Sequence, residues 1–229
     1  MKKAVCFTLL IIASLLLITA MLFTCLQFCM NQRDWYYKSY VKYGTSRETG
    51  ISDEDMTEAI FRLIDYMEGR ADSIQLSVSE NGSVVEMYNQ QEIEHMIDVR
   101  ALYQAWKNVR DYGAAAAAAI IALCICMTAP GGRIRLMSRA FITASAIFGI
   151  TLAALGIWVA VDFNSFWNSF HRLFFTNDLW LMDYNTCRMI RICPLQLFND
   201  IVIRFALMFM APFLLLLIFA TAVARRRQK

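Results

Sequence analysis

The sequence lacks the motifs that mark many soluble enzymes. It contains no Gly-x-Ser-x-Gly nucleophile elbow, no Walker motif and no Rossmann fingerprint. Neither a serine nucleophile of the hydrolase type nor a nucleotide cofactor is therefore predicted. No internal repeat is present, so the usual indication of a transporter built from inverted halves is also missing.

Histidine is scarce: the chain of 229 residues has only His95 and His171. The two are not spaced as His-x-x-x-His or His-Glu-x-x-His, which would place two metal ligands on one helix face. A metal site would need ligands from separate segments of the chain. No metal ligand is therefore predicted.

The seven cysteines do not form the pattern of a disulfide framework. Five of them lie in or beside apolar runs, where a free cysteine behaves as a small apolar residue. These five are Cys6, Cys25, Cys29, Cys124 and Cys126. Cys187 and Cys193 lie elsewhere and could pair in an oxidising compartment. The sequence leaves that pairing open.

Apolar residues are abundant, because 58% of the chain is hydrophobic. Four runs, residues 5–30, 112–128, 140–161 and 201–224, are long enough, or nearly so, to cross the ~30 Å hydrocarbon core of a bilayer. The first run follows two lysines, but it exceeds the ~7–15 apolar residues in the centre of a signal peptide. We therefore interpret it as a retained helix.

Charged residues are distributed unevenly between the segments that join these runs. With both termini in the cytoplasm, the cytoplasmic segments contain nine basic residues and no acidic residue. Residues 31–111, on the outer side, contain nine basic and fifteen acidic residues. Because lysine and arginine accumulate on the cytoplasmic side of membrane proteins, this orientation is predicted. Nothing in the distribution indicates a nucleic-acid partner.

These patterns predict a membrane protein that is mainly α, with four transmembrane helices and a small extracellular α+β cap. The predicted order is transmembrane helix 1 (1–30), the cap (31–111), transmembrane helix 2 (112–128), a cytoplasmic turn (129–139), transmembrane helix 3 (140–162), an extracellular loop rich in aromatic residues that contains His171 (163–200), transmembrane helix 4 (201–224) and a cytoplasmic basic tail (225–229).

The cap has its own helix and strand signals. Ser52, followed three residues later by Asp55, predicts the start of an amphipathic helix, and Gly69 predicts its end. Asn81-Gly82 separates two β-type runs, residues 74–78 and 84–88, and predicts a hairpin. From residue 90 to 111 the apolar spacing is helical again and continues into the second apolar run.

Two segments could carry chemistry. His95 and Asp98 are three residues apart, so on a helix they share a face, and the carboxylate could orient the imidazole. His171 lies in a stretch with eight aromatic residues between positions 163 and 184, a composition typical of the membrane–water interface. Taken separately, each histidine could also be ordinary: His95 a surface residue and His171 part of an anchoring interfacial helix.

The segments His95-Met96-Ile97-Asp98-Val99-Arg100 and Phe170-His171-Arg172-Leu173-Phe174-Phe175, the latter continuing to Trp180 and Asp183, resemble the lipoprotein intramolecular transacylase (Lit) family of Gram-positive bacteria. The resemblance covers nearly the whole chain. It implies transfer of the sn-2 acyl chain of a diacylglyceryl group to the α-amino group of a lipoprotein's N-terminal cysteine, giving a lyso-form lipoprotein in the bacterial cell membrane. The implied site lies at the outer membrane–water interface.

The candidate site follows from these residues and from the resemblance. The candidate catalytic residues are His95 and His171, which would exchange protons. The candidate supporting residues are Asp98, Arg100, Asn177, Asp178 and Asp183. The candidate substrate-binding residues are Phe166, Trp167, Phe170, Phe174, Phe175 and Trp180. The expected partners are a diacylglyceryl lipoprotein and membrane lipids, with no cofactor, nucleotide or nucleic acid.

Two other classes stay open. A non-catalytic assembly or lipid-binding protein would need the aromatic residues only for docking, so its function would survive replacement of both histidines. A metal-dependent membrane hydrolase would be inactivated by a chelator.

Overall fold

A computed structural model describes residues 2–225 of the chain. Met1 and residues 226–229, most of the basic tail expected at the C-terminus, lie outside the described residues. The elements follow in this order: α1 (Lys2–Met30), α2 (Arg33–Tyr43), α3 (Thr45–Thr49), α4 (Asp53–Glu68), β1 (Ser77–Glu80), β2 (Ser83–Glu86), α5 (Gln90–Met127), a 3₁₀ turn (Pro130–Gly132), α6 (Arg133–Val161), α7 (Phe163–Phe174), α8 (Arg188–Arg191) and α9 (Leu195–Arg225).

Four helices are long and apolar enough to cross a membrane: α1, α5, α6 and α9. A helix satisfies its backbone hydrogen bonds within itself, which is the requirement for crossing hydrocarbon. The mainly helical fold with four such helices and one small sheet is the one predicted from the apolar runs.

Several helices extend beyond the apolar runs. The first half of α5 is polar and residues 112–127 form its apolar part, so one helix contains both a charged segment and an apolar one. α6 begins at Arg133 and α9 at Leu195, because helical hydrogen bonding depends on backbone geometry and not on hydropathy. The segment 163–200, expected as a loop, contains two helices, α7 and α8.

The chain divides into two compact units. Within the described part, the helical unit comprises residues 2–25, 107–167 and 206–225. One cluster of its buried side chains contains Cys6, Leu10, Cys124 and Ala140. A second contains Ile18, Ala144, Phe209 and Phe213. Small residues in both clusters allow the helices to approach one another closely.

The second unit, called here the histidine unit, comprises residues 26–106 and 168–205. Its core is formed by apolar side chains of several elements, among them Tyr40, Ile51, Met56, Ile74, Met87 and Leu197. Ser52 caps α4 by accepting a hydrogen bond from the Asp55 backbone N–H at 3.0 Å. Gly69 ends α4 with φ +81°. Both predicted helix limits are confirmed.

The only sheet in residues 2–225 is the antiparallel pair of β1 and β2. Asn81 and Gly82 form the two-residue turn with φ of +52° and +81°, the left-handed values that the predicted Asn-Gly hairpin requires. The paired strands lie closer to the turn than residues 74–78 and 84–88, because a two-residue turn fixes Glu80 opposite Ser83.

Candidate active site

His95 lies in the polar first half of α5, one helical turn after its start. The helix begins with a reciprocal capping box. The Asn89 side-chain oxygen accepts from the Glu92 backbone N–H at 2.9 Å, and the Glu92 carboxylate accepts from the Asn89 backbone N–H at 2.7 Å. This cap fixes where the helix starts and therefore which way His95 points.

His171 lies in the last turn of α7. Phe163, Phe166, Trp167, Phe170 and Phe174 recur at spacings of three, one, three and four residues in this segment, which is a helical pattern. His171 is the buried residue of α7. Its backbone carbonyl accepts from the Phe175 N–H at 2.7 Å, which continues the helical hydrogen bonding to the end of α7.

The histidine unit brings the two imidazoles together. Their ring centroids are 6.3 Å apart, with 32° between the ring planes. Only 7% of His95 and 5% of His171 is exposed. Two groups that exchange protons near neutral pH therefore lie side by side, although 76 positions separate them in the chain.

Aromatic rings surround this histidine pair. Trp180 stacks on His171 with centroids 4.8 Å apart and 25° between the planes. Phe175 contacts both histidines, at 5.2 Å from His95 and 5.6 Å from His171. Phe170 meets His171 edge-on at 5.3 Å. Phe170, Phe175 and Trp180 are called the aromatic cage below.

The surroundings of His95 favour its neutral form. Its pKa is lowered chiefly by burial and further by the neighbouring His171, while the Asp98 carboxylate acts in the opposite direction. Nδ1 of His95 is buried and has no hydrogen-bond partner among residues 2–225. This nitrogen can exchange a proton with a bound group.

Two of the candidate supporting residues link α5 to the segment after His171. The Asn177 side-chain amide donates to a carboxylate oxygen of Asp98 at 2.8 Å. Asp98 is therefore hydrogen-bonded to Asn177, and its charge also acts on the His95 ring. Arg100 lies elsewhere, with its guanidinium carbon 4.5 Å from the centroid of the Tyr66 ring in α4.

The two remaining acidic candidates are exposed. Asp178 is on the surface of the segment after α7. Asp183 organises a turn, because its carboxylate accepts from the backbone and side-chain N–H groups of Asn185 at 2.9 and 3.1 Å. These contacts give Asp183 a structural position in the turn.

The candidate substrate-binding aromatics fall into both units. Four of them belong to the histidine unit: Phe170, Phe174, Phe175 and Trp180. The ring centroid of Phe174 also lies 6.1 Å from that of Trp106. Phe166 and Trp167 belong to the helical unit, where they contact Trp158 and Phe163.

One protein-family model matches most of this chain. The family model described as lipoprotein intramolecular transacylase Lit matches residues 11–198. The chain belongs to the Lit family. No match was found among curated protein sequences.

Solved structures agree on the fold. The membrane integral lipoprotein intramolecular transacylase Lit from Bacillus cereus has a TM-score of 0.74 at 15% identity, covering 95% of both chains. Two of its variants, in which a histidine is replaced by arginine or by alanine, each have a TM-score of 0.70 at 15% identity. Both matches cover 97% of this chain. They cover 92% of the arginine variant's chain and 94% of the alanine variant's chain. At this identity the similarity concerns the fold.

The buried residue Glu92 was missed by the sequence analysis of this Lit-family chain. It is 0% exposed and lies one turn from His95. The spacing Asn89-x-x-Glu92 is a capping-box signal and could have revealed the cap. Nothing in the sequence reveals the second contact of Glu92, which accepts from the Met189 N–H at 2.6 Å.

Cysteines and possible metal ligands add no further group to the site. Cys187 and Cys193 are both free thiols. Burial raises the pKa of Cys193 to about 12, which keeps that thiol protonated. In the described part of this Lit-family chain, no group of three or more His, Cys, Asp and Glu side chains is arranged to hold a metal ion.

Proposed function

We propose that the chain moves the sn-2 acyl chain of a diacylglyceryl lipoprotein to the α-amino group of the same lipoprotein's N-terminal cysteine. The observation that carries the proposal is the buried histidine pair, with centroids 6.3 Å apart inside the aromatic cage. Membership of the Lit family supports a lipoprotein as the substrate.

The reaction needs no nucleophile from the protein, because the substrate contains both reacting groups. The amine nitrogen attacks the carbonyl carbon of the sn-2 ester, a C–N bond forms and the C–O bond to glycerol breaks. The products are an N-acyl group and a free glycerol hydroxyl, so the total composition of the substrate is unchanged. One proton must leave the nitrogen, and one must reach the departing oxygen.

The two imidazoles match these two proton transfers. An α-amino group has a pKa of about 8 and is mostly protonated near neutral pH, so it first gives one proton to solvent. Once the neutral amine has attacked the ester, a base must take a further proton from the nitrogen. Burial lowers the pKa of His95, which keeps this imidazole neutral and able to accept a proton. We assign His95 as the acceptor and His171 as the donor to the glycerol oxygen. Return of a proton between the adjacent rings restores the starting state.

The aromatic cage would lower the entropic cost of bringing the amine and the ester together. A diacylglyceryl group has many rotatable bonds, and its ester must meet the amine in one conformation. Holding two reacting groups in such a geometry is worth up to about 7–11 kcal/mol of barrier. Phe170, Phe175 and Trp180 are rigid apolar surfaces around the histidines, suited to binding the glyceryl group and the first carbons of its chains.

The charge distribution supports a site on the outer side of the membrane. The histidines belong to residues 26–106 and 168–205, and residues 31–111 are rich in acidic side chains. The segment between the second and third apolar runs and both termini are basic, as expected for cytoplasmic segments. We therefore propose that both termini are cytoplasmic.

Mass spectrometry of a lipoprotein N-terminus tests the proposal. The gene is expressed in a host that makes only diacylated lipoproteins. The expected product is an N-acyl, S-monoacylglyceryl peptide of unchanged total mass, recognised by its fragments. His95→Ala and His171→Ala should each abolish it, whereas His95→Ala should not change the amount of protein in the membrane.

An unmodified amine beside abundant wild-type protein would refute the activity. Full conversion by either histidine variant would refute the proton-transfer roles and favour a protein that only binds lipid. Loss of conversion on adding a chelator to wild-type membranes, with recovery on adding zinc, would favour a metal-dependent enzyme.

A further inference from the structure

Three polar side chains at the start of α5 contact the segment that follows His171. The Asn89 amide donates to the Thr186 carbonyl at 3.1 Å. The Gln91 amide donates to the carbonyls of Leu179 and Leu181, both at 3.0 Å. With the bond from the Met189 N–H to Glu92, residues 89–92 hold this segment at four points.

Glu92 is the buried member of this group. Its two carboxylate oxygens accept from two different chain segments: one from the Asn89 N–H at 2.7 Å and the other from the Met189 N–H at 2.6 Å. The pKa of Glu92 is raised, chiefly by burial, although these two backbone hydrogen bonds act to lower it. A carboxylate without exposure to water is tolerable only with such partners, so the two bonds fix Met189 relative to α5.

Gln91 acts closer to the histidine pair. The two carbonyls that it binds belong to the residues on either side of Trp180, whose ring stacks on His171. The Trp180 indole N–H donates to the Asn177 carbonyl at 3.0 Å, and the Asn177 side chain binds Asp98 of α5. The ring that lies against His171 is therefore held on both sides by the helix that contains His95.

We propose that Gln91 and Glu92 are positioning residues, which hold Trp180, and through it His171, at the distance from His95 that proton exchange requires. This inference rests on the function proposed above. Neither side chain needs to touch substrate for this role. Their effect passes through the backbone of residues 179–189.

Gln91→Leu is the decisive variant, because it removes two hydrogen bonds without changing charge. Glu92→Gln is the second variant: a carboxamide can accept one backbone N–H but presents its own NH₂ to the other. Gln90→Leu and Glu94→Gln are the matched controls. These two residues bond to each other at 2.8 Å on the exposed side of the same helical turn.

Selective isotope labelling of histidine gives a measurement that does not depend on activity. The chain contains only two histidines, so the full-length protein in detergent has two imidazole signals, assigned with His171→Ala. In Gln91→Leu the pKa of His95 should rise, because both the burial of its ring and its closeness to His171 decrease. The magnetisation transfer between the two rings should weaken.

Kinetics provide the second measurement. A displacement of about 1 Å at a catalytic group can cost on the order of 100-fold in rate. We expect kcat of Gln91→Leu to fall on that order, with KM changed less than about threefold, at a temperature well below the unfolding midpoint. Gln90→Leu should match the wild-type protein in kcat and in both titration curves.

Wild-type titration curves and ring-to-ring transfer in folded Gln91→Leu would overturn the proposal, even if the unfolding temperature fell. If Glu92→Gln does not fold, Gln91→Leu decides alone. If the wild-type protein or the histidine variants disprove the transacylase activity, the titration still tests the positioning. The two proposals therefore fail independently.

Discussion

Replacing Glu80 with glutamine tests the ion pairs that join β1 to α8. One oxygen of Glu80 accepts from Nε and Nη2 of Arg188 at 3.0 and 2.6 Å, and the other accepts from Nη1 of Arg191 at 3.0 Å. The Glu80, Arg188 and Arg191 side chains are only 15%, 22% and 19% exposed. This network is therefore largely shielded from water.

The expected cost follows from that degree of exposure. A fully exposed ion pair contributes about 0–1 kcal/mol, and removing one partner of a fully buried pair costs about 3–5 kcal/mol. With exposures between these limits, Glu80→Gln should cost about 2 kcal/mol of the free energy of unfolding. For a chain of this length, that loss lowers Tm by about 4–8 °C.

The pH dependence has a definite sign. Hydrogen bonds from Arg188, with help from Arg191, lower the pKa of Glu80 against the opposing effect of burial. Because the folded pKa is below the unfolded pKa, the stabilisation is fully present above the unfolded pKa and is lost as pH falls through the folded pKa. The difference in Tm between wild type and Glu80→Gln should therefore be present at neutral pH and shrink in acid.

Thermal unfolding of the full chain in detergent, followed by circular dichroism, measures this difference. Glu86→Gln on the partner strand is the matched control. The exposed Glu86 carboxylate accepts from the exposed Ser77 hydroxyl at 2.8 Å, so its replacement should cost less than about 0.5 kcal/mol. Equal Tm values for the two variants would refute the reasoning, as would a difference that persists unchanged in acid.

Two further predictions concern the site and the core of the histidine unit. Asp98→Asn removes the carboxylate that raises the pKa of His95, so that pKa should fall. The acid limb of the pH–activity profile should then move to lower pH. An acid limb at the same or a higher pH would contradict the role of His95 as proton acceptor. Tyr40→Phe removes the bond that the buried hydroxyl donates to the Ile192 carbonyl at 2.9 Å and should cost about 1–3 kcal/mol in thermal unfolding. Tyr37→Phe, which removes an exposed hydroxyl, is its control, and equal losses would contradict this estimate.

Features encoded by neighbouring residues could be predicted from the sequence. The four apolar helices follow from uninterrupted hydropathy, since length and polarity alone determine whether a helix can cross a bilayer. The Asn81-Gly82 turn and the Ser52 cap follow from local backbone chemistry. The pairing of His95 with His171 could be proposed, because these are the two histidines of the chain and each lies in a recognisable segment.

Contacts between distant residues could not be predicted in the same way. Glu92 and Met189 are 97 positions apart and are joined through the backbone N–H of Met189. Almost any residue type supplies such an N–H, so the amino acid at position 189 does not indicate the contact. Asp98 was expected to orient His95 because the two share a helix face, but its hydrogen bond to Asn177 depends on a segment 79 positions away. The helix α7 was expected as part of a loop, although the spacing of its aromatic residues is helical.

The place of Phe175 against both imidazoles bears on which nucleophile would capture the acyl group in the proposed reaction. Water attacks esters too, and hydrolysis would release a fatty acid and leave the lipoprotein permanently deacylated. A hydrocarbon ring that packs against both His95 and His171 takes up space beside each imidazole that water could otherwise fill. An amine tethered to the ester can still reach the carbonyl carbon, so the partition between aminolysis and hydrolysis would be set by one phenyl ring.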